Sequence, residues 1–328
     1  VVNVGLEREL ILGSSLIDMY ARFFCLDEVE QVFWSLRVRD VVSWNALIEA
    51  YVECGYGEEA LTCLKYMQLE GFSPSGATFA CSLKACATVG AVEKGEDIYS
   101  EISWKGLLEN DVFVGNSLIH MYASFGMVMK ARDVFERLPI RDIISWNSLI
   151  TGCAHTGECR EAFLTFMEMV GTTKQKPNLV TFLNLLGACS HGGLIHEGQA
   201  YFEAMNKDYG LTPTLEHYSC MADLLGRSGQ LKMAVTMVKN LPCPANIGIW
   251  RTLLGACQKW CNVEIGREVF EATTRLNKKD AMAYVCMSNI YANAGLHEDA
   301  HNIEALRVSN QASNFSGYSN TWLDSSCR

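Results

Sequence analysis

Seven histidines and fourteen cysteines are the side chains with which this chain could hold a metal or attack a substrate. Hydrolytic deamination of a base on zinc needs a His-x-Glu, which supplies a ligand and a proton carrier, and a Cys-x-x-Cys that completes the site. None of His120, His155, His191, His196, His217, His297 or His301 has a glutamate two residues on. Cys257 and Cys261 are four apart, one residue too many for Cys-x-x-Cys, and no such pair occurs elsewhere. No P-loop and no strand followed by Gly-x-Gly-x-x-Gly is present to cradle a phosphate. The expectation is a chain without metal, cofactor or catalytic residues, and not an enzyme. The cysteines then need another role, and a small buried hydrophobe in a reducing compartment is the simplest one.

The elements that carry these residues repeat. Glycine recurs at Gly55, Gly90, Gly126, Gly157, Gly193, Gly229 and Gly295, in steps of 35, 36, 31, 36, 36 and 66 residues. The last step is a double one, with Cys261 where a glycine would fall. Five residues after each stands a small residue: Ala60, Gly95, Ala131, Ala162, Gly198, Ala234, Gly266 and Ala300. Four residues before stands Tyr51, Cys86, Tyr122, Cys153, Cys189, Leu225, Cys257 or Tyr291. This phase predicts a helix-turn-helix in each unit, with the glycine ending the first helix in a left-handed cap. Ser43, Thr78, Ser145 and Thr181 lie twelve residues before their glycines and are expected to N-cap the first helix. Trp44, Leu47, Ile48 and Tyr51 fall at helical spacing, and the small residue should let the second helix pack on the first. Such a pair cannot bury its apolar face alone, so neighbouring pairs must stack.

Composition sets the outer bounds. The 328 residues are 49% apolar with only 6 prolines, and no linker or low-complexity stretch interrupts them. No apolar run reaches the roughly 18 residues of a membrane helix, so no membrane partner is expected. Lys and Arg number 27 against 37 Asp and Glu, a net charge of −10, which counts against nonspecific nucleic-acid binding. The chain opens at Val1, and its first nine residues read as the tail of a unit whose start is absent, so a fragment is expected.

The strings DVVSWNALIEAY from Asp40, VFVGNSLIHMYASFG from Val112 and DIISWNSLI from Asp142 resemble the plant pentatricopeptide repeat family. The alternating unit lengths are similar to its PLS subclass, in which P, long and short motifs rotate. TFLNLLGACSHGG from Thr181 resembles a long motif, and LEHYSCMADLLGRSG from Leu215 a final short motif. IWRTLLGAC from Ile249 and AYVCMSNIYANAG from Ala283 resemble the two degenerate E-type repeats that follow it. The resemblance implies an all-α, right-handed α-solenoid superhelix of helix-turn-helix repeats of 31–36 residues. Its parse is a long-motif tail (1–9), then short (10–40), P (41–75), long (76–111), short (112–142), P (143–178), long (179–214) and the final short motif (215–246). Two E-type repeats span 247–280 and 281–315, and a tail covers 316–328, where Gly317 and Trp322 anchor a loose match to the family's exit segment. Nothing beyond resembles the family's deaminase domain.

In this family the fifth and last residues of a repeat read an RNA base, and the second wedges between bases. Carried over, Ser14 with Asp40 implies G; Asn45 with Ser75, C over U; Asn116 with Asp142, U; Asn147 with Asn178, C over U; and Ser219 with Asn246, A. Ala80 and Leu183 fill the fifth position of the long motifs and should be permissive. Ile11, Val42, Phe113 and Ile144 are the wedges. The implied target is 5′-G-Y-N-U-Y-N-A-N-N-N-C-3′, with the last C edited. The resemblance thus implies a site-recognition factor for organellar C-to-U RNA editing in mitochondrion or chloroplast, the mitochondrion slightly ahead. A deaminase-domain protein or editing accessory factor would act in trans, or a catalytic domain would follow. An RNA stability or splicing factor is the nearest alternative. A tetratricopeptide-like protein scaffold would explain the acidic charge, but it predicts a constant 34-residue period and a W-x2-L-G-x2-Y pattern, neither of which is present.

Overall fold

A computed structural model describes residues 10–172 and 175–312, and nothing of the side chains of Leu10 and Ile11. The described residues hold eighteen α-helices, one short 3-10 turn at Leu107–Glu109 and no strand. The fold is an all-α helical-repeat solenoid. Two compact units divide at Ala188.

The first unit contains α1 (Leu10–Arg22), α2 (Leu26–Ser35), α3 (Val41–Glu53), α4 (Gly57–Leu69), α5 (Gly76–Val89), α6 (Val92–Trp104), α7 (Val112–Ser124), α8 (Val128–Arg137), α9 (Ile143–His155) and α10 (Cys159–Thr172). Helix α11 (Leu179–Gly192) runs across the division. The second unit continues with α12 (Ile195–Lys207), α13 (Leu215–Arg227), α14 (Leu231–Lys239), α15 (Ile247–Lys259), α16 (Val263–Leu276), α17 (Ala281–Asn293) and α18 (His297–Ser309). Odd-numbered helices are the first of each pair.

Helix α3 shows how the sequence builds a pair. Trp44, Leu47, Ile48 and Val52 are buried, while Val42, Glu49 and Glu53 face water, so one stripe drives packing. The helix stops where Gly55 takes φ +84°. The Gly55 amide then donates to the Val52 carbonyl at 3.1 Å, and the Tyr56 amide to the Tyr51 carbonyl at 2.8 Å, the paired bonds of a Schellman cap. The residue four before each glycine is thus the carbonyl that closes the cap. It is also core: Cys86, Cys153, Cys189 and Cys257 are buried where Tyr122 and Tyr291 stand in other repeats. At Cys261 the cap forms without glycine, with φ +49° and the Asn262 amide donating to the Cys257 carbonyl at 3.0 Å.

One local expectation needs correcting. Ser43, Thr78 and Ser145 are not N-caps but the third residues of their helices. The caps are Asp40, Ser75 and Asp142, each in a reciprocal capping box. Thr181 has the same place in α11, where its amide donates to Asn178 Oδ1 at 3.0 Å. Where the small residue is Gly198 or Gly266 it admits the first helix of its own pair, since a Cβ there would stand 3.4 Å from Cys189 Cβ and 3.7 Å from Cys257 Cβ, and a glycine there also admits the next repeat. A Cβ on Gly95 would stand 2.5 Å from Met121 Sδ, so α6 lies close against α7 of the next repeat.

Each unit has its own core. In the first, Phe33 packs edge-on to Trp44 (centroids 4.7 Å apart), and Phe135 to Trp146 (4.6 Å), so one pair's second helix is keyed to the next pair's first. In the second, Leu253, Val269, Tyr284, Met287 and Ile290 are buried together.

Candidate nucleic-acid interface

The residues expected to face a base lie along the N-terminal ends of the first helices. Helix formation itself places them, because the last residue of one repeat is the N-cap of the next. Asp40 Oδ1 accepts from the Ser43 amide at 2.8 Å, Ser75 Oγ from Thr78 at 3.3 Å, Asp142 Oδ1 from Ser145 at 2.8 Å and Asn246 Oδ1 from Ile249 at 3.0 Å. The connection before Asp142 is pinned as well. Arg141 donates to the Phe135 carbonyl at 3.0 Å and the Glu136 carbonyl at 2.8 Å, and its guanidinium lies 5.0 Å over the Phe135 ring. Arg39 takes the same place before Asp40, 4.7 Å over Trp34.

The fifth residues sit one turn into each helix, and three of them join the caps. Asn45 Nδ2 donates to Ser75 Oγ at 3.4 Å, Asn116 Nδ2 to Asp142 Oδ1 at 3.2 Å and Asn147 Nδ2 to Asn178 Oδ1 at 3.2 Å. Each Oδ1 accepts a hydroxyl from the third residue of the next first helix: Thr78 at 2.6 Å, Ser145 at 2.6 Å and Thr181 at 2.7 Å. Three fifth–last pairs are therefore in direct contact across neighbouring repeats. Asn116 and Asn147 are 7% and 8% exposed, so each is almost wholly buried. Ser14 and Ser219 are half-buried, and for their partners Asp40 and Asn246 the structure gives the capping role described above. Ala80 is buried and Leu183 half-buried in the same register.

Burial pushes the Asp142 carboxyl upward, but the Ser145 amide and hydroxyl, the Asn116 amide group and the Ile144 amide outweigh it and hold the group below the usual range. Asp142 is thereby kept as an acceptor, which fixes the amide nitrogen of Asn116 toward it.

Beside these polar groups stand apolar side chains at the second position of the helix. Val42, Phe113 and Ile144 are 61%, 60% and 57% exposed, although the same helices bury other apolar residues fully. The side chain of Ile11 lies outside the described residues, as do Gly317 and Trp322. Sequence reasoning passed over Val180 and Met282, which occupy the same second position and are also exposed. Their offset from the repeat start was the available signal. It also passed over Arg251 and Asp280, the fifth and last residues of 247–280, where Arg251 Nε and Nη2 each meet an Asp280 carboxylate oxygen at 2.8 Å. Asp280 is buried, and this bidentate pair occupies the register that amides hold elsewhere.

Among the described residues no group of three or more His, Cys, Asp and Glu could hold a metal ion. His217 is buried, its Nδ1 2.7 Å from Thr214 Oγ1. Surface and core account for the remaining described cysteines, which are free thiols.

The arrangement can offer a row of fixed hydrogen-bonding edges at Asn45, Asn116 and Asn147, interrupted at the repeat that carries Ala80 and flanked by exposed apolar wedges. Comparisons with known proteins bear on the family and the fold. A PPR repeat family model covers residues 39–106 and 141–191, and a PPR repeat model covers 116–143. The chain is 38% identical over 304 residues to the chloroplastic pentatricopeptide repeat-containing protein CRR2 of Arabidopsis thaliana, covering 92% of this chain and 46% of that protein. It is 37% identical over 301 residues to a mitochondrial pentatricopeptide repeat-containing protein of the same plant, covering 90% and 54%. The chain thus spans about half the length of these curated relatives. The crystal structure of the pentatricopeptide repeat protein PPR10 in complex with an 18-nt psaJ RNA element superposes with a TM-score of 0.71 at 19% identity, over 88% of this chain and 44% of that one. The crystal structure of PPR10 from maize gives 0.54, over 92% and 48%.

Proposed function

Since the chain belongs to the plant pentatricopeptide repeat family, we propose that it binds single-stranded RNA in a sequence-specific manner, one base per repeat, in organellar RNA processing. The observation that carries this reading is the row of fifth–last contacts Asn45–Ser75, Asn116–Asp142 and Asn147–Asn178, flanked by the exposed Val42, Phe113 and Ile144. Single-stranded RNA is the nucleic acid whose splayed bases can be met this way, by an edge bond and a stacked wedge. The solved PPR10 complex with an RNA element supports the class of partner. Relatives named chloroplastic and mitochondrial support an organelle as the setting.

The finer reading is a PLS array with two terminal E-type repeats, acting as specificity factor for C-to-U editing, with deamination supplied in trans or by a further domain. First helices that begin at Val41, Gly76, Val112, Ile143, Leu179, Leu215, Ile247 and Ala281 support the parse at 41, 76, 112, 143, 179, 215, 247 and 281. The Arg251–Asp280 lock supports a terminal repeat that does not read a base.

The test is binding of the purified chain to a labelled 11-mer, 5′-G-Y-N-U-Y-N-A-N-N-N-C-3′, against RNAs scrambled at the five coded positions at fixed salt. Base reading predicts about tenfold tighter binding of the cognate RNA (~1.4 kcal/mol). Equal binding of both, or of neither, contradicts it and returns the acidic array to the class of protein scaffolds.

A further inference from the structure

We propose that Thr78, Ser145 and Thr181 are positioning residues that set which face of the preceding repeat's asparagine amide is shown to RNA. The inference rests on the base-reading function above and adds to it residues outside the fifth, last and second positions.

The hydrogen bonds have a direction. Thr78 Oγ1 accepts the Ser75 amide at 3.0 Å, Ser145 Oγ the Asp142 amide at 3.3 Å and Thr181 Oγ1 the Asn178 amide at 3.1 Å. Each hydroxyl has two acceptors within reach of its single proton, its own cap (Thr78 to Ser75 Oγ at 3.0 Å, Ser145 to Asp142 Oδ1 at 2.9 Å, Thr181 to Asn178 Oδ1 at 3.1 Å) and the asparagine Oδ1, and the asparagine contact is the shortest, at 2.6, 2.6 and 2.7 Å. Oδ1 is held inward, Nδ2 is held on the cap side, and the second Nδ2 hydrogen is left to offer outward. A fixed amide presents a donor to a pyrimidine acceptor. An amide free to turn over presents a donor or an acceptor and discriminates less.

The distribution of the hydroxyl supports this role. It follows all three asparagines. It is missing after both apolar fifth residues, since Ala80 is followed by Val114 and Leu183 by His217 at the third helical position. Capping does not demand it: in α7, Asp111 Oδ1 accepts from the Phe113 amide at 3.0 Å and the Val114 amide at 3.3 Å with no hydroxyl at the third position.

The three sites differ in how much rests on the hydroxyl. At Asn116 and Asn147 the cap shows an oxygen already committed to a helix amide, so it too favours Nδ2. At Asn45 the cap is Ser75, whose hydroxyl can donate as well as accept, at the longer 3.4 Å. There the orientation rests most on Thr78, whose 2.6 Å contact to Oδ1 is shorter than its 3.0 Å contact to Ser75 Oγ.

The experiment uses the full chain as wild type, Thr78→Val, Thr78→Ser and Asn262→Ala, each titrated with 11-mers carrying every base at the second, fourth and fifth positions. Valine keeps the volume of threonine and removes the hydroxyl. Asn262 Oδ1 caps α16 by accepting from the Ile265 amide, so its loss removes a helix cap in the other unit. The expected result is pyrimidine preference at the second base of about tenfold (~1.4 kcal/mol) in wild type. That preference falls toward unity in Thr78→Val, is kept in Thr78→Ser and Asn262→Ala, and is unaltered at the fourth and fifth bases throughout. Retention of the second-base preference in Thr78→Val overturns the inference, as does equal loss at every base. A wild type that discriminates at no base sinks the base-reading function itself, and the inference with it. Discrimination at the fourth and fifth bases with none at the second overturns the role of Thr78 alone.

Discussion

At the scale of single residues, water exposure and chemistry disagree at the second helical position, where large apolar side chains stand outside the core. Phe113→Ala should weaken RNA binding by about 1–3 kcal/mol, the range for an aromatic face on a base. Its effect on stability should stay within about 0.5 kcal/mol, since the ring is 60% exposed. Fluorescence anisotropy and denaturant titration separate the two, and a loss confined to stability would deny the wedge. Ile144→Ala should fall at or below the low end of the same range. Titration gives a second check. Burial pushes the Cys63 and Cys257 thiols up to about 12, and Cys86 and Cys153 to about 11, against an ordinary value near 9. Their folded values are raised, so this stabilisation is complete below the unfolded value and is lost as pH climbs through about 11 to 12. Asp142 works in the opposite sense, its lowered value giving stability above the ordinary carboxylate range that is lost as pH falls through the folded value. Unfolding free energy should therefore decline at both ends of the pH scale, and Asp142→Asn should flatten the acid side. The cysteines were legible because small buried residues recur in phase with a cap glycine. The caps were misassigned by three residues because Asp-x-x-Ser and Ser-x-x-Thr offer two good capping side chains, and pattern alone does not say which one precedes the helix.

At the scale of elements, each first helix is bounded by a side-chain cap and a left-handed turn, and both ends are testable. Cys261 adopts φ +49° and is exposed, so Cys261→Gly removes backbone strain without leaving a cavity. It should raise the denaturation midpoint, with a gain of up to about 1 kcal/mol, while Gly90→Ala at φ +70° should lower it by about as much. A lower midpoint in Cys261→Gly would mean that the thiol contributes there in another way. Arg251→Leu strands the buried Asp280 carboxylate and should cost about 1–3 kcal/mol of stability. Base preference in the other repeats should not move. Helix pairs and their turns were readable from the glycine phase and the apolar stripe. The close approach of Gly95 to Met121 was not, because a small residue signals a tight contact without naming the partner helix.

At the scale of the whole molecule, charge and repetition pull in different directions. The net charge is −10, and cations on the second helices are engaged with acidic neighbours, Lys94 with Glu58, Lys130 with Glu96 and Arg132 with Glu168. Few phosphates should then be neutralised on binding. The slope of log K against log salt should be no steeper than about −2, at roughly −0.7 per phosphate on a single strand. A much steeper slope would place the affinity in the RNA backbone rather than in the bases. The family was legible because its motifs lie on structural residues that every repeat must keep. The residues proposed to read bases were legible only through that family, since an asparagine early in a helix has many structural uses. The central claim is that neighbouring repeats read bases as pairs of side chains, and a reciprocal swap tests it most directly. Wild type and Asn116→Thr are each titrated with 11-mers carrying U or G at the fourth base, alone among the bases changed. The account predicts that wild type prefers U and that Asn116→Thr prefers G, with a crossed difference of about tenfold or more (~1.4 kcal/mol). Equal loss of affinity for both RNAs, with no crossing, would contradict it.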